Sequence, residues 1–307
     1  MSVAFVFPGQ GAQSVGMGRA LADAFPEARA AFEEADAALG EPLSRLCFEG
    51  PEADLVRTAN TQPAVLTTDV AAWRAVRAQT GIVPALVAGH SLGEYAALVA
   101  SGAIDFGAAV RLTRIRGQAM QEAVPEGEGA MAAVLGLDPD AVRAICEEAA
   151  QGRVVSPANF NAPGQIVIAG HADAVARASE LIRARKGKAI PLKVSAPFHC
   201  ALMQPAADVV AKALEGVAVE TPKVPVVANV DAQPNTDASR IKDLLVRQVA
   251  SPVRWEESVR RMVEEGVRTF VELGPGTVLA GLVKRIDKSA KVVSVSDPAG
   301  VAAAAAA

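Results

Sequence analysis

Cysteine and histidine are scarce in this sequence of 307 residues, and the chain carries no net positive charge. The three cysteines, Cys47, Cys146 and Cys200, lie far apart and show no C-x-x-C spacing. That distribution argues against a disulfide framework or a zinc site, and it is typical of reduced thiols in a cytosolic protein. A formal net charge of −4 at pH 7 argues against a nucleic-acid-binding protein. We therefore expect no metal and no nucleic-acid partner.

Long apolar runs are missing as well. No stretch reaches the roughly 18 residues that a membrane-spanning helix needs, and no basic segment precedes the first apolar residues. We expect a soluble, cytoplasmic protein without a membrane partner. Hydrophobic residues nonetheless make up 51% of the chain, which is enough for a substantial core. The length fits one large domain, or a large domain with a smaller insert.

The stretch that organises the chain is 87–95, in which Gly89, Ser91 and Gly93 form a G-x-S-x-G pattern. A short apolar run precedes the pattern and a run of helix formers follows it. This context is typical of a nucleophile elbow, a turn so tight that only glycine tolerates the close backbone approach. Such a turn exposes the serine hydroxyl beside free N–H groups at a helix start, where negative charge is favoured. A glycine-bounded turn with a capping serine is the alternative.

A second glycine-rich loop, Pro8-Gly9-Gln10-Gly11, follows the first predicted strand. It departs from the dinucleotide-binding fingerprint, because Ser14 stands where the third glycine is needed and no acidic residue closes a second strand about 20 positions later. We interpret it as a loop that brings backbone N–H groups to a reacting oxygen. A tight strand-to-helix connection is the alternative.

The pattern of apolar residues predicts an α/β fold with a mostly parallel sheet covered by helices. The predicted strands are 3–7, 85–88, 129–136, 153–159, 165–169, 188–194, 224–230, 269–273 and 291–295. The predicted helices are 19–39, 62–79, 95–100, 106–123, 138–150, 172–185, 203–214, 238–249, 255–265 and 277–286. The order βαββαβ indicates a ferredoxin-like small domain at 125–196, inserted into a discontinuous large domain at 1–124 and 197–307. The alanine-rich end, 301–307, is by itself too short to hold a helix in water.

A serine nucleophile needs a base, because a free hydroxyl is hardly ionised at neutral pH. The sequence offers three histidines. His90 immediately precedes the serine, and its side chain is expected to point away from it; His171 opens a predicted helix, where a solvated or capping role is expected. His199 lies where the chain leaves the small domain, and loops at domain junctions line clefts. A structural role is the alternative for His199, but Ser91 requires a partner and we expect His199 to be the base.

An acyl-transfer intermediate also needs hydrogen-bond donors for its oxyanion. Elbow geometry makes the backbone N–H of Leu92, directly after the nucleophile, one such donor. The second is expected from another loop at a strand end, and Gln10 in the glycine-rich loop is the natural supplier.

Taken in order, these segments resemble the malonyl-CoA:acyl carrier protein transacylases over essentially the whole chain. The segments that carry the resemblance are Phe7-Pro8-Gly9-Gln10-Gly11, Gly89-His90-Ser91-Leu92-Gly93-Glu94, Arg116-Gly117, Asn159-x-Asn161-x-Pro163-x-Gln165, Phe198-His199, 248–255 and Glu272-Leu273-Gly274-Pro275-Gly276. The resemblance implies an α/β-hydrolase-like large domain with a ferredoxin-like insert, which agrees with the predicted order of elements.

The resemblance also implies a mechanism. Ser91 attacks the malonyl thioester of coenzyme A with His199 as general base, and the N–H groups of Gln10 and Leu92 hold the oxyanion. The phosphopantetheine thiol of holo-acyl carrier protein then takes the malonyl group from the serine. The backbone carbonyl of Gln248, rather than an aspartate, orients the histidine. Thioester is exchanged for thioester, so no cofactor is expected and coenzyme A serves only as the acyl carrier.

Further substrate-binding residues follow from the same resemblance. Arg116 is implied as a clamp for the free malonyl carboxylate, which its guanidinium fork can bind bidentately. A solvated arginine on a helix face is the alternative, as for Arg111 and Arg114. The other residues expected to line the cleft are His90, Gln62, Asn159 and Phe198.

Two basic patches are candidates for docking an acidic carrier protein, although such runs are commonly just solvated faces. They are Arg183, Arg185, Lys186 and Lys188, and Lys284, Arg285, Lys288 and Lys291. A monomer is expected. Two rival functions stay open, namely a serine esterase or thioesterase that hydrolyses its acyl group, and a non-catalytic module that binds the carrier protein.

Overall fold

The computed structural model describes residues 2–306 of the chain. Its strands are β1 Ser2–Phe7, β2 Leu86–Gly89, β3 Gly129–Leu135, β4 Val155–Ala162, β5 Gln165–His171, β6 Lys188–Pro191, β7 Val226–Val227, β8 Pro234–Asn235, β9 Val267–Leu273 and β10 Lys291–Val295. Its helices are α1 Arg19–Ala24, α2 Pro26–Leu39, α3 Leu43–Glu49, α4 Glu52–Leu55, α5 Thr58–Thr80, α6 Gly93–Ala100, α7 Phe106–Glu122, α8 Pro139–Ala150, α9 Ala172–Ala184, α10 Gln204–Glu215, α11 Ala238–Ala250, α12 Trp255–Glu264, α13 Val278–Ile286 and α14 Pro298–Ala305. The predicted mixed α/β class is confirmed.

The larger sheet has six strands in the order β10-β9-β1-β2-β7-β8, and only the β7–β8 pair is antiparallel. Helices cover both of its faces, so β1 buries Phe5 and Phe7 in one core cluster and Ala4 and Val6 in another. Phe7 pairs with Gly89 at the carboxyl ends of β1 and β2. The two glycine-containing loops therefore leave the sheet side by side, at the edge where α/β proteins place their sites.

The smaller sheet is antiparallel and has four strands in the order β4-β5-β3-β6. Helices α8 and α9 pack on it around a core of its own, which includes Ile145, Ile168 and Ile182. Asp138 caps α8 as predicted, because its Oδ1 accepts the Ala141 N–H at 2.8 Å. A single bridge between Asn159 and Val253 joins β4 to the segment before α12. This bridge holds one end of the small sheet against the loops of the large one.

Several predicted boundaries are wrong. Residues 19–39 form two helices rather than one, because Phe25 precedes a proline and adopts an extended backbone with φ −127° and ψ 120°. Helix α5 begins at Thr58 instead of Gln62, so Pro63 lies inside it. Helices α3 and α4 were not predicted. Short helices of this kind draw their stability from packing, which leaves a weak signal in the sequence.

Two further differences lie in the second half of the chain. The strand predicted at 224–230 is only Val226–Val227, and the following residues turn back toward β8. The alanine-rich end does form a helix, since Asp297 caps α14 and its Val301 and Ala304 are buried against the protein. Ala307, at the end of that predicted stretch, lies outside the described residues. Within 2–306, no helix is long and apolar enough to cross a membrane.

A buried carboxyl pair lies beneath the site edge of the large sheet. Asp69 of α5 is fully buried, and neither of its carboxyl oxygens has a hydrogen-bond partner among the described residues. Burial, together with the negative charge of Glu272, raises the pKa of Asp69 well above its usual value. A β-carbon on Gly274 would lie 2.0 Å from Asp69 Oδ1, so the residue packed against this carboxyl has to be glycine. The protonated form of Asp69 is therefore favoured in the fold.

We expect Asp69→Asn to stabilise the protein relative to the wild type increasingly as pH rises. The folded state keeps the proton of Asp69 to a higher pH than the unfolded state, which loses it near pH 4, so wild-type stability falls as pH rises above that value. Asparagine does not titrate and removes this loss. Denaturant unfolding of both proteins at pH 5 and pH 8 measures the difference, with Asp23→Asn on the exposed face of α1 as the control. Parallel pH dependences of the wild type and Asp69→Asn would contradict the prediction.

Candidate active site

The turn between β2 and α6 places Ser91 at the end of the sheet with a left-handed backbone, φ 52°. A β-carbon on Gly89 would lie 1.8 Å from the Gly93 carbonyl carbon, and one on Gly93 would lie 2.1 Å from the Phe7 oxygen. Both positions therefore require glycine. The second contact also presses the elbow against the end of β1.

Ser91 and His199 meet across the cleft although they are 108 positions apart in the chain. Ser91 Oγ and His199 Nε2 lie 2.6 Å apart, and His199 Nδ1 lies 2.9 Å from the Gln248 carbonyl oxygen. The carbonyl can only accept, so it places the proton on Nδ1 and leaves Nε2 free to accept the serine proton. His199 also has a left-handed backbone, φ 60°, as strained residues at functional sites often do.

Burial, followed by the positive charge of Arg116, lowers the pKa of His199 to about 3. The imidazole is therefore neutral at neutral pH and able to accept a proton. The hydrogen bond to Gln248 opposes the shift, since it favours the protonated ring.

Arg116 of α7 is buried, with its guanidinium beside the serine. It donates from Nη1 to Gln62 Oε1 at 2.8 Å, and from Nη2 to Gln248 Oε1 at 2.9 Å and to Ser91 Oγ at 3.2 Å. The central carbon of the guanidinium lies 5.5 Å from the centre of the Tyr95 ring. A β-carbon on Gly117 would lie 2.6 Å from the Thr58 oxygen, so this glycine lets α7 approach α5 and brings Arg116 to Gln62. Every hydrogen-bond partner of the guanidinium among the described residues is uncharged.

The backbone N–H groups of Gln10 and Leu92 have no protein acceptor within residues 2–306. The Gln10 loop lies against the elbow, since a β-carbon on Gly9 would be 2.4 Å from the His90 carbonyl oxygen. The Gln10 side chain is bonded elsewhere, since its Nε2 donates a hydrogen bond to Thr58 Oγ1 at 3.1 Å. Leu92 precedes the first turn of α6, where the helix dipole favours negative charge.

These groups surround one cleft of about 260 Å³. Its lining includes nine of the residues selected from the sequence, namely Gln10, Gln62, His90, Ser91, Leu92, Arg116, Asn159, Phe198 and His199. Gln248 is not part of the lining and reaches the site through its carbonyl and its side-chain amide.

The other two histidines make hydrogen bonds to groups other than Ser91. His90 Nε2 lies 2.8 Å from Asn161 Oδ1, and the His90 ring lies 5.7 Å from that of Trp255. His171 accepts the Val154 N–H through Nδ1 at 2.9 Å, and its side chain makes no helix-capping bond. His171 thus stands at the N-cap position of α9 and is half-buried, but its ring does not cap the helix as expected and instead holds the residue before β4.

Two residues that hold the nucleophile were not selected from the sequence. Asn229, after β7, accepts the Ser91 N–H through Oδ1 and donates from Nδ2 to the Gly89 oxygen, both at 2.7 Å. Glu94, in the first turn of α6, accepts from the Asn229 N–H at 3.0 Å and from Gln248 Nε2 at 2.8 Å. A signal existed for Asn229, because it lies near the carboxyl end of the strand predicted at 224–230, the kind of position that the elbow also occupies. Glu94 could have been noticed as the single charged residue of an otherwise apolar helix.

Comparison with known proteins agrees with this geometry. The acyl transferase domain family matches residues 4–303. The chain is 53% identical over 302 residues to the malonyl CoA-acyl carrier protein transacylase of Salmonella typhimurium, covering 98% of each protein. It superposes with a TM-score of 0.96 on an acyl carrier protein S-malonyltransferase from Vibrio cholerae, at 51% identity and covering 99% of each chain. It also superposes, at 0.97 and 50% identity over 100% of this chain and 99% of the other, on a malonyl-transacylase solved in complex with a type II PKS acyl-carrier protein. The chain therefore belongs to the acyl transferase family, among the malonyl CoA-acyl carrier protein transacylases.

Proposed function

We propose that this acyltransferase moves a malonyl group from malonyl-CoA to the phosphopantetheine thiol of holo-acyl carrier protein through a malonyl ester on Ser91. One observation carries the proposal, namely that the Ser91 hydroxyl lies within hydrogen-bond distance of both a neutral imidazole and a buried guanidinium. The imidazole activates the hydroxyl as a nucleophile. Within residues 2–306 the guanidinium has no anionic hydrogen-bond partner, so it is available to a carboxylate on the acyl group.

In the first half-reaction, Ser91 Oγ attacks the thioester carbonyl while its proton passes to His199 Nε2. The N–H groups of Gln10 and Leu92 stabilise the negative charge that develops on the carbonyl oxygen. Collapse of the tetrahedral intermediate breaks the carbon–sulfur bond, and the coenzyme A thiolate takes the proton from the imidazolium. In the second half-reaction His199 removes the proton of the carrier-protein thiol, which attacks the ester and releases Ser91.

We propose that no cofactor is needed, because one thioester is consumed and another is formed. Coenzyme A enters and leaves as the acyl carrier. His90 and Asn159 form polar lining of the same cleft, and Phe198 and the methionines Met120 and Met131 form apolar lining. These residues leave space for a short acyl group beside the guanidinium.

We also propose the finer description of the fold. The parallel sheet with its elbow fits an α/β-hydrolase-like domain over 1–124 and 197–307. The order β3-α8-β4-β5-α9-β6 fits a ferredoxin-like insert over 125–196. We propose that the protein acts in the cytoplasm as a monomer, without nucleic acid or membrane as partner.

Holo-acyl carrier protein is the proposed second substrate, and one solved relative is in complex with such a protein. Both basic patches remain candidates for its docking. In the first, Arg185 is already paired with Glu148 at 2.7 Å. In the second, Arg285 donates to Gln165 Oε1 at 2.7 Å and so bridges α13 and the start of β5.

Intact-mass measurement tests the transfer. Incubation with malonyl-CoA should add one malonyl group to the protein, and holo-acyl carrier protein should then remove it and gain the same mass. Release of free malonate at the same rate without the carrier protein would favour the hydrolase alternative. No mass gain at all would favour a non-catalytic binding module.

Arg116→Ala should change acyl-group selection more than it changes the chemistry. The malonyl carboxylate would lose its counter-ion in a cleft that partly excludes water, which costs about 2–5 kcal/mol. Acetyl-CoA carries no carboxylate, so its transfer should be spared. The measurement is kcat/KM for both substrates, with Arg111→Ala on the exposed side of the same helix as the control. An equal fall for malonyl-CoA and acetyl-CoA would leave Arg116 as a structural residue of α7.

A further inference from the structure

The side-chain amide of Gln248 is hydrogen-bonded on both sides. Its Nε2 donates to the Ser91 backbone oxygen at 2.9 Å and to Glu94 Oε2 at 2.8 Å, while its Oε1 accepts from Arg116 at 2.9 Å. A rotation of the amide by half a turn would set oxygen against two acceptors and the amide NH₂ against the guanidinium. The two acceptors therefore determine that the Gln248 oxygen faces Arg116.

Glu94 is the side-chain acceptor of that pair, and it is nearly fully buried at 3% exposure. The same Oε2 accepts the Asn229 N–H, and the Asn229 side chain in turn holds the Ser91 N–H. Glu94 itself does not line the cleft. Its hydrogen bonds therefore reach the cleft through Gln248 or Asn229, while its charge acts on Arg116 from a distance.

We propose that Glu94 is a positioning residue for acyl-group selection, which fixes the Gln248 amide so that its oxygen holds the Arg116 guanidinium beside Ser91 Oγ before the substrate arrives. The inference rests on the malonyl transfer proposed above. A guanidinium placed in advance needs no rearrangement when the carboxylate binds, and misplacement by about 1 Å can cost as much as a hundredfold in rate.

The role requires a hydrogen-bond acceptor at Oε2 rather than a negative charge. The pKa of Glu94 is raised to about 7, chiefly by burial and to a small extent by Asp231 after β7. Its hydrogen bonds to Gln248 and Asn229 and the charge of Arg116 on α7 oppose the rise. The phenol of Tyr95, next to Glu94 on α6, is also buried. A proton on Oε1 leaves Oε2 able to accept both bonds. The preference for malonyl over acetyl groups should therefore stay constant between pH 6 and pH 8.

Two substitutions separate contact from charge. Glu94→Gln loses the charge but keeps an oxygen at the same reach, whereas Glu94→Asp keeps the charge and withdraws it from Gln248 by one methylene. We expect Glu94→Gln to keep the wild-type ratio of kcat/KM for malonyl-CoA over acetyl-CoA. We expect Glu94→Asp to lower that ratio by about tenfold, because a loss that passes through Asn229 and Ser91 falls on both substrates and cancels in the ratio. Glu122→Gln and Glu122→Asp on the exposed end of α7 serve as controls for the substitutions themselves.

A Gln248→Met variant tests whether Glu94 acts through the Gln248 amide. The substitution removes the amide but retains the backbone carbonyl that orients His199. Adding Glu94→Asp should cause no further loss of selectivity there, because the amide it acts through is gone. A full second loss would overturn the proposal, as would a selective Glu94→Asp protein beside an unselective Glu94→Gln protein. A wild type that accepts acetyl-CoA as readily as malonyl-CoA would instead overturn the proposed function.

Discussion

We expect the Ser91→Ala protein to gain no mass from malonyl-CoA under conditions in which the wild type gains one malonyl group. The hydroxyl is the group that would form the ester, and no other hydroxyl lies within hydrogen-bond distance of His199 Nε2 among the described residues. Alanine keeps the β-carbon, so the left-handed backbone at φ 52° carries the same strain as before. The glycines on either side still set the turn.

The loss must come from chemistry and not from unfolding. Thermal unfolding of the variant should stay close to that of the wild type, because Ser91 Oγ faces the cleft and contributes little to the core. Ser91→Ala protein that still acquires a malonyl adduct would show that a different residue is the nucleophile.

Removing the imidazole of His199 should slow both acylation by malonyl-CoA and transfer to the carrier protein by about 10²–10⁴-fold, the usual loss of general-base assistance. His199→Asn is the better variant, because asparagine tolerates the left-handed backbone found at this position, φ 60°. Rapid-quench measurement of each half-reaction gives the two rates. His171→Ala, which removes a histidine outside the cleft, is the control.

The pH dependence of acylation gives a second check on His199. Because its pKa is lowered to about 3, the imidazole stays neutral and active as pH falls through 6.5, where an ordinary histidine would become protonated. The wild-type rate should therefore remain level down to about pH 5. A rate that halves near pH 6.5 would mean that the base is an unperturbed histidine.

Much of the site was predictable because chemistry restricts the residue types involved. A nucleophile elbow needs glycine at 89 and 93, and the structure shows backbone atoms where their side chains would be. A base had to come from three histidines, and the domain junction favoured His199. Arg116 depended on family resemblance, since nothing local distinguishes it from Arg111 on the same helix.

The supporting hydrogen bonds were not predictable in this way. Gln248 and Ser91 are 157 positions apart, and Asn229 and Glu94 are 135 apart, so only the folded chain brings them together. Gln248 and Asn229 carry amides and Glu94 carries a carboxyl group. These residue types occur throughout the sequence at no characteristic spacing. The break between α1 and α2 was missed because the apolar residues keep a helical period across it. Pro26 nevertheless forces the preceding residue, Phe25, into an extended backbone.

The buried guanidinium of Arg116 has a consequence for the thermal stability of the enzyme before and after acylation. Among the described residues its hydrogen bonds go to two amide oxygens and a hydroxyl, and Glu94 acts on it only from a distance, so the empty enzyme keeps in its interior a cation with no anion bonded to it. The carboxylate of the malonyl ester on Ser91 can pair with that charge only in the folded protein, so the pairing stabilises the folded form. The loaded enzyme should then melt at a higher temperature than the empty one. The malonyl group would therefore stabilise the fold, and the acylated enzyme that precedes transfer to the carrier protein would be more stable than the empty enzyme.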